Sequence, residues 1–356
     1  MIAADMAPTV DRSLLPTATV ERDAPLVAAV SIRPTNTPTP FPVVVVDLNP
    51  TEPPAALALP AVEELNTSTP VPTPTDPPLP TETAIPTETP TPQPTFTPPA
   101  LPGTSANEHY WLRRPVPDGG VVWTNKVYPY GSTRSGTLRP HHGVEFDVPN
   151  ESLVISSAAG TVVVAGDDSA AVYGPEPNFY GNLVVIAHET PYNGQTVYTL
   201  YGHLSQVGVA VGQKVEALQP VGLVGASGIA DGPHLHYEVR VGCNRYDCTR
   251  NPSLWLYPFR EHGTVAGRIV RPNGTLIEGF QVTVNRIDAR SPYKGTTTYV
   301  GTTVRADDGW NENFVIDDVK AGYYQINFRV DGTRYKEEFW VYPYQTTFVE
   351  MVVDAP

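Results

Sequence analysis

His234-Leu-His-Tyr-Glu-Val-Arg-Val241 alternates polar and apolar side chains over its whole length. A period of two is the mark of a β-strand, in which residues two apart share a face. His141-His-Gly-Val-Glu-Phe-Asp147 reads the same way, so His141, Gly143 and Glu145 point to one side, as do His234 and His236. A third His-bearing strand, Tyr198-Thr-Leu-Tyr-Gly-His203, lies between them in the chain. Two imidazoles and a carboxylate, completed by water, make a familiar catalytic zinc set with one position open.

Outward from these stretches the chain stays β-like. Strand runs fall at Val121–Trp123, Leu153–Ser156, Thr161–Ala165, Asn182–His188, Thr196–Leu200, Lys214–Val215, Val221–Val224 and His234–Val241, punctuated by glycines. Many short strands without a helical period predict an all-β sandwich or barrel-like core. The unit closes near Asn251-Pro-Ser-Leu-Trp-Leu-Tyr-Pro258. Beyond it, Gly263-Thr-Val-Ala-Gly-Arg-Ile-Val270, Phe280–Val284, Tyr324–Val330 and Phe348–Val353 alternate again. Pro272-Asn-Gly and Asp307-Asp-Gly carry hairpin-grade turn residues. Some seven strands in about 90 residues fit an immunoglobulin-like sandwich.

Residues 1–103 differ in kind. They hold 24 of the 40 prolines, with repeats such as Thr-Pro-Thr-Pro. Proline at this density blocks helix and central strand, and few apolar side chains offset the ordering entropy. A disordered Pro/Thr-rich stalk or linker is the expectation, with a tail of no role as its plain counterpart. The expected organisation is therefore 1–103 stalk, 104–260 β domain with the candidate zinc set and 261–356 β-sandwich.

Lys and Arg total 23 against 37 Asp and Glu, a formal charge of −14. That balance argues against nucleic acid or an anionic membrane as the main partner. Cys243 and Cys248 are the two cysteines: a disulfide between them suits an extracytoplasmic setting, and free thiols are the alternative. Met1–Leu15 lacks the apolar run of a signal peptide, and apolar runs such as Val43–Val46 are too short to span a bilayer. Location outside the cell or in its envelope would then need export encoded upstream or from another start.

Each candidate has a plainer reading beside it. On a flat strand the Cα atoms of His141 and Glu145 lie roughly 13 Å apart, so a shared metal requires a bend, which Gly143 permits. Asp147 shares the face one pleat further off and is the weaker ligand. The plainer reading of His234 and His236 is two satisfied histidines, although two imidazoles flanking an inward Leu are uncommon by chance. His203 is placed to be a general base, since imidazole titrates near neutral pH. His188 reads as a strand-end residue, His142 as solvent-facing, and His109 and His262 carry no assignment.

His141-His-Gly-Val-Glu145, Tyr201-Gly-His203-Leu, Gly222-Leu-Val-Gly-Ala-Ser-Gly228 and Gly232-Pro-His234-Leu-His236-Tyr-Glu238 together resemble the lysostaphin/LytM-type zinc metalloendopeptidases. The resemblance covers about residues 115–257. It implies an antiparallel β fold with a groove, and cleavage of peptide bonds in peptidoglycan. It also implies Zn2+ held by His141, Glu145 and His236, with His203 and His234 flanking the attacking water as base and oxyanion stabiliser. The family's first motif has Asp where this chain has Glu145, which is one methylene longer. The C-terminal segment is similar to carboxypeptidase-regulatory-like modules, through Gly267-Arg-Ile-Val-Arg-Pro-Asn-Gly274 and Asp308-Gly-Trp310. It implies an accessory or spacer role; Tyr323, Tyr324, Trp340, Tyr342 and Tyr344 are separate candidates for a carbohydrate-stacking patch and surface glycan or protein contact, with core packing as their plainer reading. Two competing readings stand beside the enzyme: an inactive peptidoglycan-binding or hydrolase-activating relative, and a surface adhesin.

Overall fold

The computed structural model describes residues 99–354, so the expected stalk lies outside the described residues up to position 98. Sixteen strands and two single-turn 3-10 helices, Tyr246–Cys248 and Pro252–Leu254, make up the regular structure among these residues. The all-β expectation holds. Among the described residues no helix is long and apolar enough to cross a membrane.

Nine strands form the first sheet: β1 (Val144–Phe146), β2 (Leu153–Ile155), β3 (Gly160–Asp167), β4 (Asn182–His188), β5 (Val197–Val207), β6 (Lys214–Val215), β7 (Pro220–Val224), β8 (Leu235–Val241) and β9 (Thr249–Arg250). Their order is β1-β8-β5-β4-β3-β6, with β2, β7 and β9 paired off this path. Every pairing within it is antiparallel. β4 and β8 are buried on nearly every residue, because each is flanked by strands and covered on both faces. Each fully buried Val, Leu or Tyr there contributes on the order of 1.5–3 kcal/mol.

Seven more strands follow: β10 (His262–Val270), β11 (Gln281–Arg286), β12 (Lys294–Thr297), β13 (Phe314–Lys320), β14 (Gly322–Val330), β15 (Thr333–Val341) and β16 (Thr346–Val352). They make a three-stranded sheet, β13-β10-β16, and a four-stranded sheet, β12-β11-β14-β15. Both sheets supply one common core, from Val265 and Ile269 on one side to Val282, Ile326 and Phe328 on the other. β10 and β16 run parallel, Thr264 beside Thr346 through Val270 beside Val352.

Three local expectations are corrected. Val121–Trp123 is no strand: Arg114 Nη1 donates to Val122 O at 2.7 Å, where a ladder N–H would otherwise bond. Pro272-Asn-Gly does turn, with Gly274 N–H donating to Arg271 O, but Asp307-Asp-Gly closes no hairpin. Asp307 is instead buried, and its Oδ1 accepts from Gly309 N–H at 2.8 Å and from the Tyr192 hydroxyl at 3.1 Å. The five aromatics expected as one patch do not share a face. Tyr324 lies in the core, whereas Tyr323 packs on Trp340 with ring centroids 4.8 Å apart.

Packing is continuous from the nine-stranded sheet into the later strands. Ala266, Tyr299, Trp310 and Val315 belong to the same apolar cluster as Trp255 and Leu254. Polar contacts follow the same junction: Tyr299 donates to Glu312 Oε1 at 2.8 Å, and Asp307 N–H donates to Glu312 Oε2 at 3.0 Å. Burial, then repulsion from Asp307, raises the Glu312 pKa to about 8. The folded state therefore holds a proton that the unfolded chain releases above its ordinary carboxylate range. Stability should fall as pH rises from about 4.5 to about 8 and level off beyond it. Melting curves at pH 5 and pH 8 should differ by several degrees in the natural protein and by less in Glu312→Gln, as 1 kcal/mol moves Tm by roughly 2–4 °C at this size.

Candidate metal centre

Three neighbouring strands bring the histidines together. Glu145 on β1 stands directly opposite His236 on β8, and Gly202 of β5 stands opposite His236 on its other side. His141 lies before β1 and off the strand, contrary to the flat-strand expectation. His141 N–H donates to Ser132 O at 2.9 Å and its carbonyl accepts from Gly131 N–H at 2.8 Å, which turns the chain back on itself. Gly143 lets this happen by lacking a side chain: a Cβ there would stand 2.6 Å from Tyr237 O and 2.8 Å from the His236 ring.

The turn closes the expected gap. Glu145 Oε1 lies 2.9 Å from His141 Nε2 and 3.0 Å from His236 Nδ1, and the two ring nitrogens are 3.4 Å apart. Ligand atoms bonded at about 2.0–2.1 Å to a tetrahedral zinc stand about 3.3 Å from each other. His141, Glu145 and His236 therefore fit such an ion by donor type and by spacing. Glu145 Oε2 is buried without a hydrogen-bond partner, although His234 Nε2 is 3.2 Å away. Asp147 is not in the cluster; it accepts from Asn125 Nδ2 at 2.8 Å and is exposed.

Each of the four clustered histidines has one ring nitrogen tied down. Nδ1 of His141 faces Tyr128 O at 2.7 Å, that of His203 faces Ser227 O at 2.9 Å, and that of His234 faces Gly232 O at 2.9 Å. Nε2 of His236 faces Glu238 Oε1 at 3.0 Å. Carbonyl and carboxylate oxygens only accept, so each tied nitrogen carries the proton. In His141 and His236 the other nitrogen turns toward Glu145 and is the one a metal would take.

The buried Glu145 carboxylate favours positive charge beside it, either a proton on His236 Nδ1 or a metal ion at the same nitrogen. Burial opposes ionisation of Glu145, yet His236 and His141 hold its pKa well below the carboxylate range. Burial likewise disfavours charge on His236, but Glu145 and then Glu238 raise it to about 10. His203 is pulled down to about 4 by burial and by His236 beside it, so it is neutral at neutral pH. Its backbone is in the left-handed region, φ 61°, where β5 loses register with β4 between the pairs Val184–Tyr201 and Asn182–Leu204. An irregularity of this kind re-aims a side chain and is commonly found at functional sites. The His203 and His234 rings lie 4.9 Å apart.

Several contributors were not singled out from the sequence. Glu238 and Arg240, both fully buried, form a 2.7 Å ion pair behind His236, and Tyr180 donates to Glu238 Oε1 at 2.5 Å. Burial opposes ionisation of Glu238 too, but Arg240 and then His236 hold it near 2. The signal was present: residues 234, 236, 238 and 240 are the polar half of one alternating strand. Tyr128 stacks on His141 at 4.1 Å, which spacing alone does not reveal. His142, expected in solvent, is buried against the Tyr246 ring, with Nδ1 2.9 Å from both Tyr246 O and Thr249 Oγ1. His188 is a buried strand end beside Thr199 Oγ1, and His109 is buried 3.1 Å from Asp307. Cys243 and Cys248 are joined in a disulfide that brackets Tyr246. The cluster sits in a groove of about 630 Å³ walled by Tyr128, Leu138, Phe179, Ile229 and Tyr246.

A sequence profile of peptidase family M23 matches residues 139–248. The peptidoglycan DD-endopeptidase ShyA of Vibrio cholerae is 41% identical over 104 residues, which are 29% of this chain and 21% of that protein. The murein hydrolase activator EnvC of Escherichia coli is 32% identical over 144 residues, 40% of this chain and 30% of that protein. The catalytic domain of the antimicrobial peptidase lysostaphin from Staphylococcus simulans matches at 26% identity and a TM-score of 0.29, over 36% of this chain and 86% of that one. The chain thus spans about a fifth of the length of the DD-endopeptidase it matches.

Proposed function

The chain carries a peptidase family M23 domain over residues 139–248, and on that premise we propose that it is a zinc-dependent endopeptidase acting on peptidoglycan peptides. One observation carries the reading: His141 Nε2, Glu145 Oε1 and His236 Nδ1 converge within 2.9–3.4 Å, with two further histidines beside them. His141, Glu145 and His236 would hold the metal. When bound, zinc supplies a Lewis acid for the scissile carbonyl and acidifies the attacking water.

The rest of the chemistry belongs to this chain's own side chains. His203 takes the proton of the attacking water, because burial keeps it neutral and its Nδ1 is committed to Ser227 O. His234, held at Nδ1 by Gly232 O and partly open to the groove, donates from Nε2 to the developing oxyanion in its imidazolium form. Glu238 orients His236 by accepting from Nε2, and Arg240 and Tyr180 keep that carboxylate ionised and fixed. Glu238→Gln should weaken zinc about 10–100-fold, read by competition with a chelating dye. Unchanged affinity would reduce Glu238 to a structural role.

We place the protein outside the cell or in its envelope, where its proposed substrate lies, and the Cys243–Cys248 disulfide suits an oxidising setting. The later strands are taken as an accessory part of the peptidase. A second reading, a module that activates a separate hydrolase, draws on the likeness to EnvC and on Glu145 in place of Asp. Metal removal separates the two. Stripping zinc with a chelator should abolish cleavage of cross-linked stem-peptide dimers, and one equivalent of zinc should restore it. A zinc-loaded protein that cleaves nothing yet stimulates another hydrolase would favour the second reading.

A further inference from the structure

A second cavity, of about 660 Å³, opens where the nine-stranded sheet meets the later strands. It is lined by Trp123, Lys126, Phe259, Tyr293, Lys294 and Asp318, among others. We propose that it binds an uncharged pyranose ring of the peptidoglycan glycan strand; the choice of glycan rests on the endopeptidase reading above.

Three features point to a sugar. Trp123 and Tyr293 are 58% and 70% exposed, and neither ring has an aromatic partner among the described residues. Large aromatic faces left open at a cavity are suited to stacking on the apolar face of a ring. Asp318 is 4% exposed; its Oδ1 accepts from Arg114 at 2.6 Å, while its Oδ2 has no hydrogen-bond partner. It sits at φ 52°, a conformation that costs energy in a non-glycine residue. A buried carboxylate oxygen with spare capacity calls for a donor, and a sugar hydroxyl supplies one. The cations at this cavity are engaged: Lys126 pairs with Asp317, Lys294 donates to Asp318 O, and Arg114 pairs with Asp318. No cation is free to draw an anion, which favours a neutral polyol.

Position ties this cavity to the groove. The segment Trp123–Tyr128 presents Trp123 and Lys126 to the sugar cavity, and Asn125 and Tyr128 to the metal-type cluster. A stem peptide seated in the groove hangs from a glycan, and that glycan would be engaged across the same short segment. Binding here raises affinity for the polymer without touching the reacting bond.

The test uses the full chain, with zinc removed so that nothing is cleaved. Peptide-free glycan strands, prepared by enzymatic removal of the stem peptides, are titrated calorimetrically. The natural protein should bind them, and Trp123→Ala and Tyr293→Ala should each bind at least 10-fold more weakly with unchanged melting temperature. Loaded with zinc, both variants should cleave a glycan-free cross-linked peptide dimer at the natural rate, but show a higher KM on glycan-linked substrate. No glycan binding by the natural protein, equal binding by the variants, or displacement of glycan by free stem peptide would each overturn the proposal. Failure of the natural protein to cleave the peptide dimer would instead sink the endopeptidase reading, and the calorimetry would still report on the sugar.

Discussion

Glu145→Ala should leave the purified protein with essentially no zinc and at least 10³-fold less peptidase activity, since loss of the metal removes its Lewis acid as well. Metal content by mass spectrometry, beside the rate on a cross-linked peptide dimer, checks both. One carboxylate oxygen stands 2.9 Å from His141 Nε2 and 3.0 Å from His236 Nδ1, so its loss leaves only two imidazoles facing a cation. The informative companion is Glu145→Asp. Shortening the side chain by one methylene, on a backbone fixed by the β1–β8 register, withdraws the oxygen from nitrogens already at ligand spacing. Metal sites tolerate only about 0.2 Å of such error. Glu145→Asp should therefore bind zinc more weakly than the natural protein. Tighter binding by the Asp form would mean that this backbone is built for the shorter residue and that Glu145 marks a disarmed relative.

His203→Ala should behave in the opposite manner, keeping about one zinc per chain while kcat drops by about 10²–10⁴-fold. The ring is committed at Nδ1 to Ser227 O and is not among the three metal-type donors, so its removal leaves their geometry intact. The pH profile is a second check. Burial, then the neighbouring His236, lowers the His203 pKa to about 4, so the neutral base persists above that value. The acid limb of kcat should lie near pH 4–5 rather than near 6.5, and a bound cation pushes it the same way. Loss of zinc in His203→Ala would show that His203 holds the metal site together and is not its proton acceptor.

What the sequence made legible, and what it hid, divides by range. The strand Asn182–His188 could be read residue by residue because its apolar run is buried on both faces. The later half of β5 could not: expected to end at Leu200, it continues to Val207 through Gly202-His203, where the irregular register breaks the alternation. The five candidate positions were named, yet their meeting was not derivable from a strand rule that set His141 and Glu145 roughly 13 Å apart. The distance collapses because Gly131 and Ser132 hold His141 from outside the strand. His142 failed for the same reason, since Tyr246 and Thr249, which bury it, lie about a hundred residues away. Glu238 and Arg240 were readable in the pattern; what was missing was a reason to expect an ion pair inside a core.

The parallel pairing of β10 with β16 also governs the order in which this chain is completed during synthesis. β10 leaves the ribosome soon after the nine-stranded sheet, but its edge partner follows 82 residues later, as Thr264 pairs with Thr346. Until then β10 offers a bare edge on the side that β16 later covers. Long-range pairing of this kind closes slowly. A chain cut short before Thr346 would keep every metal-type ligand and still emerge sticky, a substrate for chaperones and proteases.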